Sequence, residues 1–314
     1  MTSILTSLSN GAVLLFVVTT MLAMGFSLTL SQILAPLRQW QLVVRALVAN
    51  FVLVPALVFA VTLLIPLSDS LKTGLILLGA AAGAPFLPKL AQFAHGQVAL
   101  SVGLMVLLMV VTIFYLPIAV PLLVPGAKVH PFNIAVSLVL TMLVPLGLAL
   151  VVRARYPEPA APLQHLMGQA SNVALLLVLV TSLLANFHEL IGVFGTGGIV
   201  AALILIGGGV VIGYLLGGPS GDTRTVLGLG TGQRNISAAL LVSIQSFTNP
   251  NVLAMVLVAS TVGLFFLLPL SCEIGRRAAR TPNDRGGTQA YSNKRHKQPG
   301  TATGQPTGAA LTAG

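Results

Sequence analysis

The chain alternates long apolar stretches with short connections of polar and turn-forming residues. A helix that crosses a bilayer needs about 20 predominantly apolar residues, and nine stretches reach that length. They cover residues 9–33, 41–65, 70–93, 98–124, 131–153, 166–188, 196–217, 224–246 and 250–273. The stretches lack the two-residue alternation of lipid-facing barrel strands. The pattern therefore predicts an all-α polytopic membrane protein, with nine spans in a domain over residues 1–275.

Composition supports the membrane assignment and gives the end of the chain a different character. Only 7% of the 314 residues are charged and 55% are hydrophobic, whereas an ordinary soluble protein has about 25% charged residues. Seven of the 16 Lys and Arg residues follow residue 275. Residues 276–314 are rich in Ser, Thr, Gly, Pro and Gln, so they predict a basic, disordered cytoplasmic tail. A tail that binds a partner is the alternative, and no nucleic-acid partner is predicted.

The basic residues also predict orientation. Cytoplasmic connections of membrane proteins carry an excess of Lys and Arg. On one side of the predicted spans the connections carry Arg38, Arg45, Arg153, Arg155, Arg224 and the tail, and on the other side only Lys72 and Lys128. We therefore expect the C-terminus in the cytoplasm, the N-terminus outside, and the protein in the cell membrane.

Two of the nine stretches contain residues that interrupt a helix. The third contains two prolines within 83–89, and the eighth contains three glycines and four polar residues within 228–235. Inside a bilayer, an interrupted backbone is tolerated only where protein or a water-filled cavity satisfies it. The helix that follows each interrupted stretch ends in a similar segment, Phe114–Pro117 in one case and Phe266–Pro269 in the other. In the predicted topology the two interrupted stretches cross the membrane in opposite directions. This arrangement predicts an inverted-repeat transporter with one broken helix in each half; two ordinary kinked helices are the alternative.

Both interruptions carry a cation. An intramembrane charge is costly and is a functional-site hypothesis by default, so Lys89 and Arg234 are predicted to bind substrate. The six carboxylates all lie in predicted connections, helix ends or the tail, so neither cation has an acidic partner near the membrane centre. Thr231, Asn235 and Pro88 are predicted to line the same site. The alternatives are that Lys89 extends to the cytoplasmic surface and that the polar residues serve helix packing.

Several segments together resemble the bile acid:sodium symporter family. They are Met24–Thr29, Asn50–Pro55, Gly83–Val102 and Gln233–Leu240, and the resemblance covers about residues 10–275. It implies the nine-helix form of that family. Spans 1, 5 and 6 would form a panel domain, spans 2–4 and 7–9 would form a core domain, and the two broken helices would cross in the core.

The resemblance also implies sodium ligands, but several of their positions have changed. The family's Ser-Asn pair falls on Leu87 and Pro88, and its Glu falls near Leu229. None of these three offers a side-chain oxygen. The remaining family positions are the expected ion-binding residues, namely Asn50, Ser101, Gln233, Gly230 and Gly232. No other metal site and no cofactor is predicted.

These observations predict a secondary active transporter that moves a small organic anion by alternating access. Because Lys89 and Arg234 place fixed positive charge where family members bind sodium, we expect transport without sodium. A proton carried by Lys89, or uniport, would replace sodium coupling, and sodium symport is the alternative. A transporter-like sensor or receptor is a second hypothesis, and an intramembrane enzyme is a third that the sequence favours less.

Overall fold

A computed structural model describes residues 2–34, 38–124, 130–185, 192–193 and 195–280, and all regular elements within these ranges are helical. The helices are α1 Thr2–Ser27, α2 Leu30–Leu34, α3 Trp40–Leu64, α4 Asp69–Ala80, α5 Leu87–Phe93, α6 Val98–Leu123, α7 Pro131–Arg155, α8 Pro157–Ala185, α9 Gly198–Leu216, α10 Gly221–Gly232, α11 Ile236–Ser246 and α12 Pro250–Arg280. Within this described part of the chain, the all-α prediction is confirmed.

Six helices contain an uninterrupted apolar segment long enough to cross a membrane: α1, α3, α6, α7, α9 and α12. The third and eighth predicted spans are interrupted, as α4–α5 and α10–α11. The structure is therefore that of a polytopic membrane protein. The predicted total of nine spans also counts α8 and the two interrupted segments.

Two of the long helices contain a wide π turn before a proline. In α3 the turn covers Ala49–Leu53 and precedes Pro55, and in α7 it covers Val139–Leu143 and precedes Pro145. Proline has no N–H and its ring clashes with the carbonyl of the preceding turn. A local π turn accommodates that clash without ending the helix.

The helices pack in two groups that meet where α1 contacts α11 and where α7 contacts α6 and α11. In the first group, α1 lies against α8 and α7, and α7 also contacts α8. These are the helices of the predicted panel. In the second group, α4 packs on α12, α9 packs on α10, and α3 packs on α9. Helix α1 also contacts α11, which brings the interrupted segments of the second group next to the first. The division into two domains that move separately stays a prediction.

Three predicted spans have other boundaries in the structure. The first was predicted as one helix over 9–33, but α1 ends at Ser27 and α2 starts a new helix. Thr29 and Gln32 form a capping box there, because each side chain bonds the backbone N–H of the other, at 3.4 and 2.9 Å.

The sixth span begins at Pro157 rather than 166, since a proline is well suited to the first turn of a helix. The last helix continues to Arg280, five residues beyond the predicted end of the domain, and Arg277 bonds Glu273 one turn earlier. The remaining tail, 281–314, lies outside the described residues.

The interruptions are also placed differently. The first break covers residues 81–86, and a helix resumes at Leu87 because Pro88 sits in its first turn, where no N–H is needed. The second break was predicted to begin at Gly228, but α10 continues through Gly232. Its glycines serve close packing. A Cβ on Gly230 would lie 2.9 Å from Leu87, and one on Gly232 would lie 2.5 Å from Val210.

Candidate functional site

The first break is held against α6 by two contacts. Gly83 has φ +78°, and a Cβ at this position would lie 2.1 Å from the backbone nitrogen of Met109, so only glycine fits. The Thr112 hydroxyl accepts a bond from the N–H of Ala82 at 2.9 Å and donates one to its carbonyl at 3.0 Å. The backbone groups that lose their helical partners at Ala82 are therefore satisfied inside the protein.

Asn235 joins the second break to the first. Its backbone N–H donates to the carbonyl of Ala81 at 2.9 Å, and its side-chain Nδ2 donates to the carbonyl of Gly83 at 3.1 Å. Its Oδ1 accepts from the N–H of Ala238 at 3.1 Å and so caps α11. One fully buried asparagine thus bonds both interrupted segments at the point where they meet.

Arg234 lies beside this junction, 3% exposed. Its Nε donates to the carbonyl of Leu78 at 3.1 Å, and its Nη2 donates to the carbonyl of Gly79. Its Nη1 donates to Oδ1 of Asn50 at 2.9 Å and to the carbonyl of Thr231 at 3.1 Å. All four acceptors are neutral, so they satisfy the hydrogen bonds of the guanidinium without neutralising its charge.

Asn50 is the only side chain among the four acceptors, and it lies in the π turn of α3. Its Nδ2 donates to the carbonyl of Ala46 at 3.0 Å and to the hydroxyl of Thr231 at 3.1 Å. The next residue, Phe51, accepts a bond from the hydroxyl of Tyr115 at 3.1 Å. In a regular α-helix the carbonyl of Phe51 would accept a bond from the backbone N–H of residue 55. Residue 55 is a proline and has no N–H. The π turn therefore places Asn50 at the junction. The bond from the Tyr115 hydroxyl to the carbonyl of Phe51 ties α3 to α6.

A cavity of about 530 Å³ lies beside Arg234, between α1 and α8 on one side and the first break, α11 and α12 on the other. Apolar side chains form most of its wall, including Phe16, Leu175 and Phe265. Its polar lining residues are Thr20, Ser171, Asn172, Gln233, Arg234, Ser237, Ser260 and Thr261. Arg234 is therefore the only charged residue among those that line the cavity.

The structure brings together some of the residues predicted from sequence. Arg234 and Gln233 line the cavity, and Thr231, Asn235 and Asn50 form the buried layer that holds Arg234. Lys89 is not among the lining residues. It lies on the exposed side of α5, with its Nζ 5.3 Å from the ring centre of Phe93.

The other predicted residues also lie away from the cavity. Pro88 forms the first turn of α5, and Gly230 and Gly232 pack α10 against its neighbours. Ser101 is buried, and its hydroxyl donates to the carbonyl of Val98 in its own helix at 2.6 Å.

Sequence reasoning missed the hydroxyl and amide groups on the opposite wall. Thr20 on α1 and Ser171 on α8 have their hydroxyl oxygens 2.6 Å apart, and Asn172 follows directly. Ser260 and Thr261 face them from α12. Adjacent polar pairs inside otherwise apolar spans are the sequence feature that marks these positions.

The fold and the cavity define the class of protein: a polytopic helical membrane protein with two interrupted helices that meet beside a cationic cavity. Residues 12–213, more than half of the chain, match the model of the Sodium Bile acid symporter family, and the chain belongs to this family. The match includes the first break and ends before the second. The comparison with curated proteins gives no match.

The family name implies a sodium ion, so we tested whether the residues at the junction suit one. The four converging oxygens around Arg234 already bind its guanidinium. Leu87, Pro88 and Leu229 have no side-chain oxygen, and the Ser101 hydroxyl bonds its own helix. The junction of this chain therefore does not fit the ion that the family name implies.

Proposed function

We propose that this protein is a secondary transporter that moves a small organic anion, or an amphipathic acid, by alternating access. The observation that carries the proposal is the position of Arg234: a buried cation on the wall of a membrane-embedded cavity. The two salt bridges found in the described part of the chain, Lys72 with Asp69 and Arg277 with Glu273, do not involve it. A buried charge without a counter-charge is costly, so a bound anion would compensate it.

The shape and lining of the cavity favour an acid with an apolar body. About 530 Å³ is within the range of sites that bind small organic molecules. The apolar wall would cover the body of the substrate, while Arg234, Gln233 and the hydroxyl groups would bind its polar end. One N–H of Nη2 has no partner among the described residues, because four of the five guanidinium N–H groups are used. That group is the donor we assign to the anion.

The location of the cavity between two helix groups supports alternating access. One wall belongs to α1 and α8, and the other to α11, α12 and the breaks. Movement of one group against the other would change which end of the cavity is open. The two breaks would move as one unit, because Asn235 bonds both of them.

A binding screen with purified full-length protein, followed by uptake into proteoliposomes, tests the proposal. We expect carboxylates that fit the cavity to raise the melting temperature and to be taken up. Arg234→Ala is expected to abolish both effects. Arg224→Ala is the matched control, because Arg224 bonds the carbonyl of Gly218 in a connection and lies over Tyr214, outside the cavity.

Two results would contradict the proposal. Equal and small effects of the two arginine variants on binding would place Arg234 outside the substrate site. Stabilisation by carboxylates without uptake of any of them would favour a sensor or receptor on a transporter scaffold. If Arg234→Ala does not fold, Arg234→Lys keeps the charge but loses the planar fork, and it is expected to bind anions more weakly.

A further inference from the structure

The oxygens around Arg234 converge from three helices. Leu78 and Gly79 contribute carbonyls from the last turn of α4, and Thr231 contributes one from the last turn of α10. Asn50 contributes its side-chain oxygen from α3. Oxygen atoms are the ligands that hard cations take, and here four neutral oxygens surround one buried point.

These carbonyls are available because both helices end at this point. The last carbonyls of a helix lack their usual partner one turn further on, and that of Leu78 also accepts a bond from the N–H of Ala81 at 3.2 Å. In a continuous helix, the carbonyl of Thr231 would bond the N–H of Asn235, but that N–H bonds Ala81 in the other break. Each helix C-terminus also carries partial negative charge. The junction therefore concentrates negative potential from two helix ends on the site of the guanidinium.

We propose that the guanidinium of Arg234 is a resident cation, covalently attached at the junction, and that this chain binds no sodium ion there. The inference deepens the proposed function and rests on it only for the consequence for transport. A sodium ion at the junction would compete with Arg234 for the same oxygens and would meet a like charge at hydrogen-bond distance. Arginine keeps its proton in proteins, so the site stays occupied throughout the transport cycle.

The disagreement with the family name lies in particular residues. Leu87, Pro88 and Leu229 stand where the resemblance implies oxygen ligands. Leu87 is 1% exposed and packs against Gly230 on α10, so an apolar contact occupies that part of the crossing. Arg234 supplies permanently the positive charge that a mobile ion would have supplied temporarily.

A permanently attached cation changes which charges cross the membrane during transport. A carrier whose cation never leaves would move only the charge of its substrate. Flux of an anion should then respond to the membrane potential and should be indifferent to the sodium gradient.

Binding of radioactive sodium to the purified full-length protein tests the inference without a substrate. With choline as the replacement ion, we expect no saturable sodium binding and no difference in melting temperature between the two salts. Saturable sodium binding that Asn50→Ala abolishes would overturn the proposal. Sodium binding that Asn50→Ala leaves intact would place the ion outside the junction and would retain Arg234 as the cation there; anion uptake that requires sodium would then reject the expected indifference to the sodium gradient.

A rescue experiment tests whether the four oxygens around Arg234 form a cation site. Arg234→Ala removes the resident cation and leaves its four acceptors, so we expect a lower melting temperature that millimolar guanidinium raises and sodium does not. Arg224→Ala, whose arginine bonds a carbonyl in a connection, is expected to show no rescue. Rescue by sodium as effective as by guanidinium would overturn the proposal. If Arg234→Ala does not fold, the sodium measurements on the unaltered chain still decide.

The two proposals can fail separately. Absence of sodium binding together with absence of anion uptake would retain the resident cation and reject transport. Anion uptake that requires sodium, together with sodium binding that Asn50→Ala abolishes, would retain transport and reject the resident cation.

Discussion

Arg234 keeps its charge in a place that offers it carbonyls and an amide but no carboxylate among the described residues. Asn50 matters here because it can present either end of its amide. The guanidinium has donors only, so Oδ1 must face it, and Nδ2 is left to bond the hydroxyl of Thr231. A neutral acceptor at this position satisfies the hydrogen bond and leaves the positive charge for an anion in the cavity.

Asn50→Asp should therefore separate folding from anion binding. The side chain keeps its size and its acceptor toward Arg234, and the Thr231 hydroxyl can rotate to donate to it. The new carboxylate loses the bond that Nδ2 of Asn50 donates to the carbonyl of Ala46, but it would pair with the guanidinium and compensate its charge, so we expect a folded protein with a similar melting temperature. Stabilisation by added carboxylates should be lost, as measured by thermal shift. Asn133→Asp adds the same charge at an exposed position and should retain anion binding; retained binding in Asn50→Asp would contradict the role of Arg234.

Among the secondary-structure elements, the first break contributes backbone groups to the junction and the second contributes side chains. Gly83 and Asn235 are separated by the same number of residues as Pro117 and Pro269, so residues 81–83 correspond to residues 233–235. The first triplet is Ala-Ala-Gly and contributes backbone groups, because small residues let the chain lie against α6. The second is Gln-Arg-Asn: its Asn235 bonds the first triplet through the backbone N–H and the side chain, and its Arg234 bonds the end of α4. The two breaks therefore differ in the chemistry that they contribute, one backbone groups and the other side chains.

The requirement for glycine at the first break can be measured. Gly83→Ala would place a Cβ 2.1 Å from the Met109 nitrogen at φ +78°, and backbone strain of this kind alone costs about 1–3 kcal/mol. We expect a clear fall in melting temperature or loss of the folded protein. Gly147→Ala is the control, because its Cβ would meet nothing within 4 Å and alanine favours a helix. Equal stability of both variants would show that the break is free to move away from α6.

At the scale of the whole molecule, the connections gather at two ends of different charge. At one end, a Cβ on Gly218 would lie 2.9 Å from Nη1 of Arg45, and one on Gly275 would lie against the carbonyl of Phe93. The starts of α3 and α10, the turn after α5 and the end of α12 therefore lie together, and they carry Arg45, Arg224, Arg276 and Arg277. At the other end, Gly197 lies against Ile65 at the start of the connection to α4. The charge asymmetry used to predict orientation thus coincides with two spatial ends.

Orientation follows from that asymmetry and can be checked with reporters. A reporter fused after Arg280 should report the cytoplasm, and one inserted between α3 and α4 should report the outside, because basic connections stay on the cytoplasmic side. An external location for the first reporter would contradict the predicted topology. A cytoplasmic location for both would contradict the odd number of crossings between them.

The class of the protein, its family and the presence of two interrupted segments could all be predicted from the amino-acid sequence. Hydropathy over windows of about 20 residues depends on composition alone, and two prolines three residues apart, at 85 and 88, disfavour one continuous helix through both. The sequence also placed Arg234 within an apolar stretch that has no acidic residue near its centre.

Tertiary structure decided what these residues contact. The partners of Arg234 include backbone carbonyls 155 and 156 residues away. The residue types at those positions do not show which carbonyls lose their helical partner. The glycines of α10 were expected to break the helix, yet close packing on Leu87 and Val210 retains it. Lys89 and Arg234 looked alike in sequence, but one turn of helix places Lys89 on an exposed face while a break buries Arg234. Propensity and hydropathy act over a few neighbouring residues, whereas a binding site depends on groups that only folding brings together.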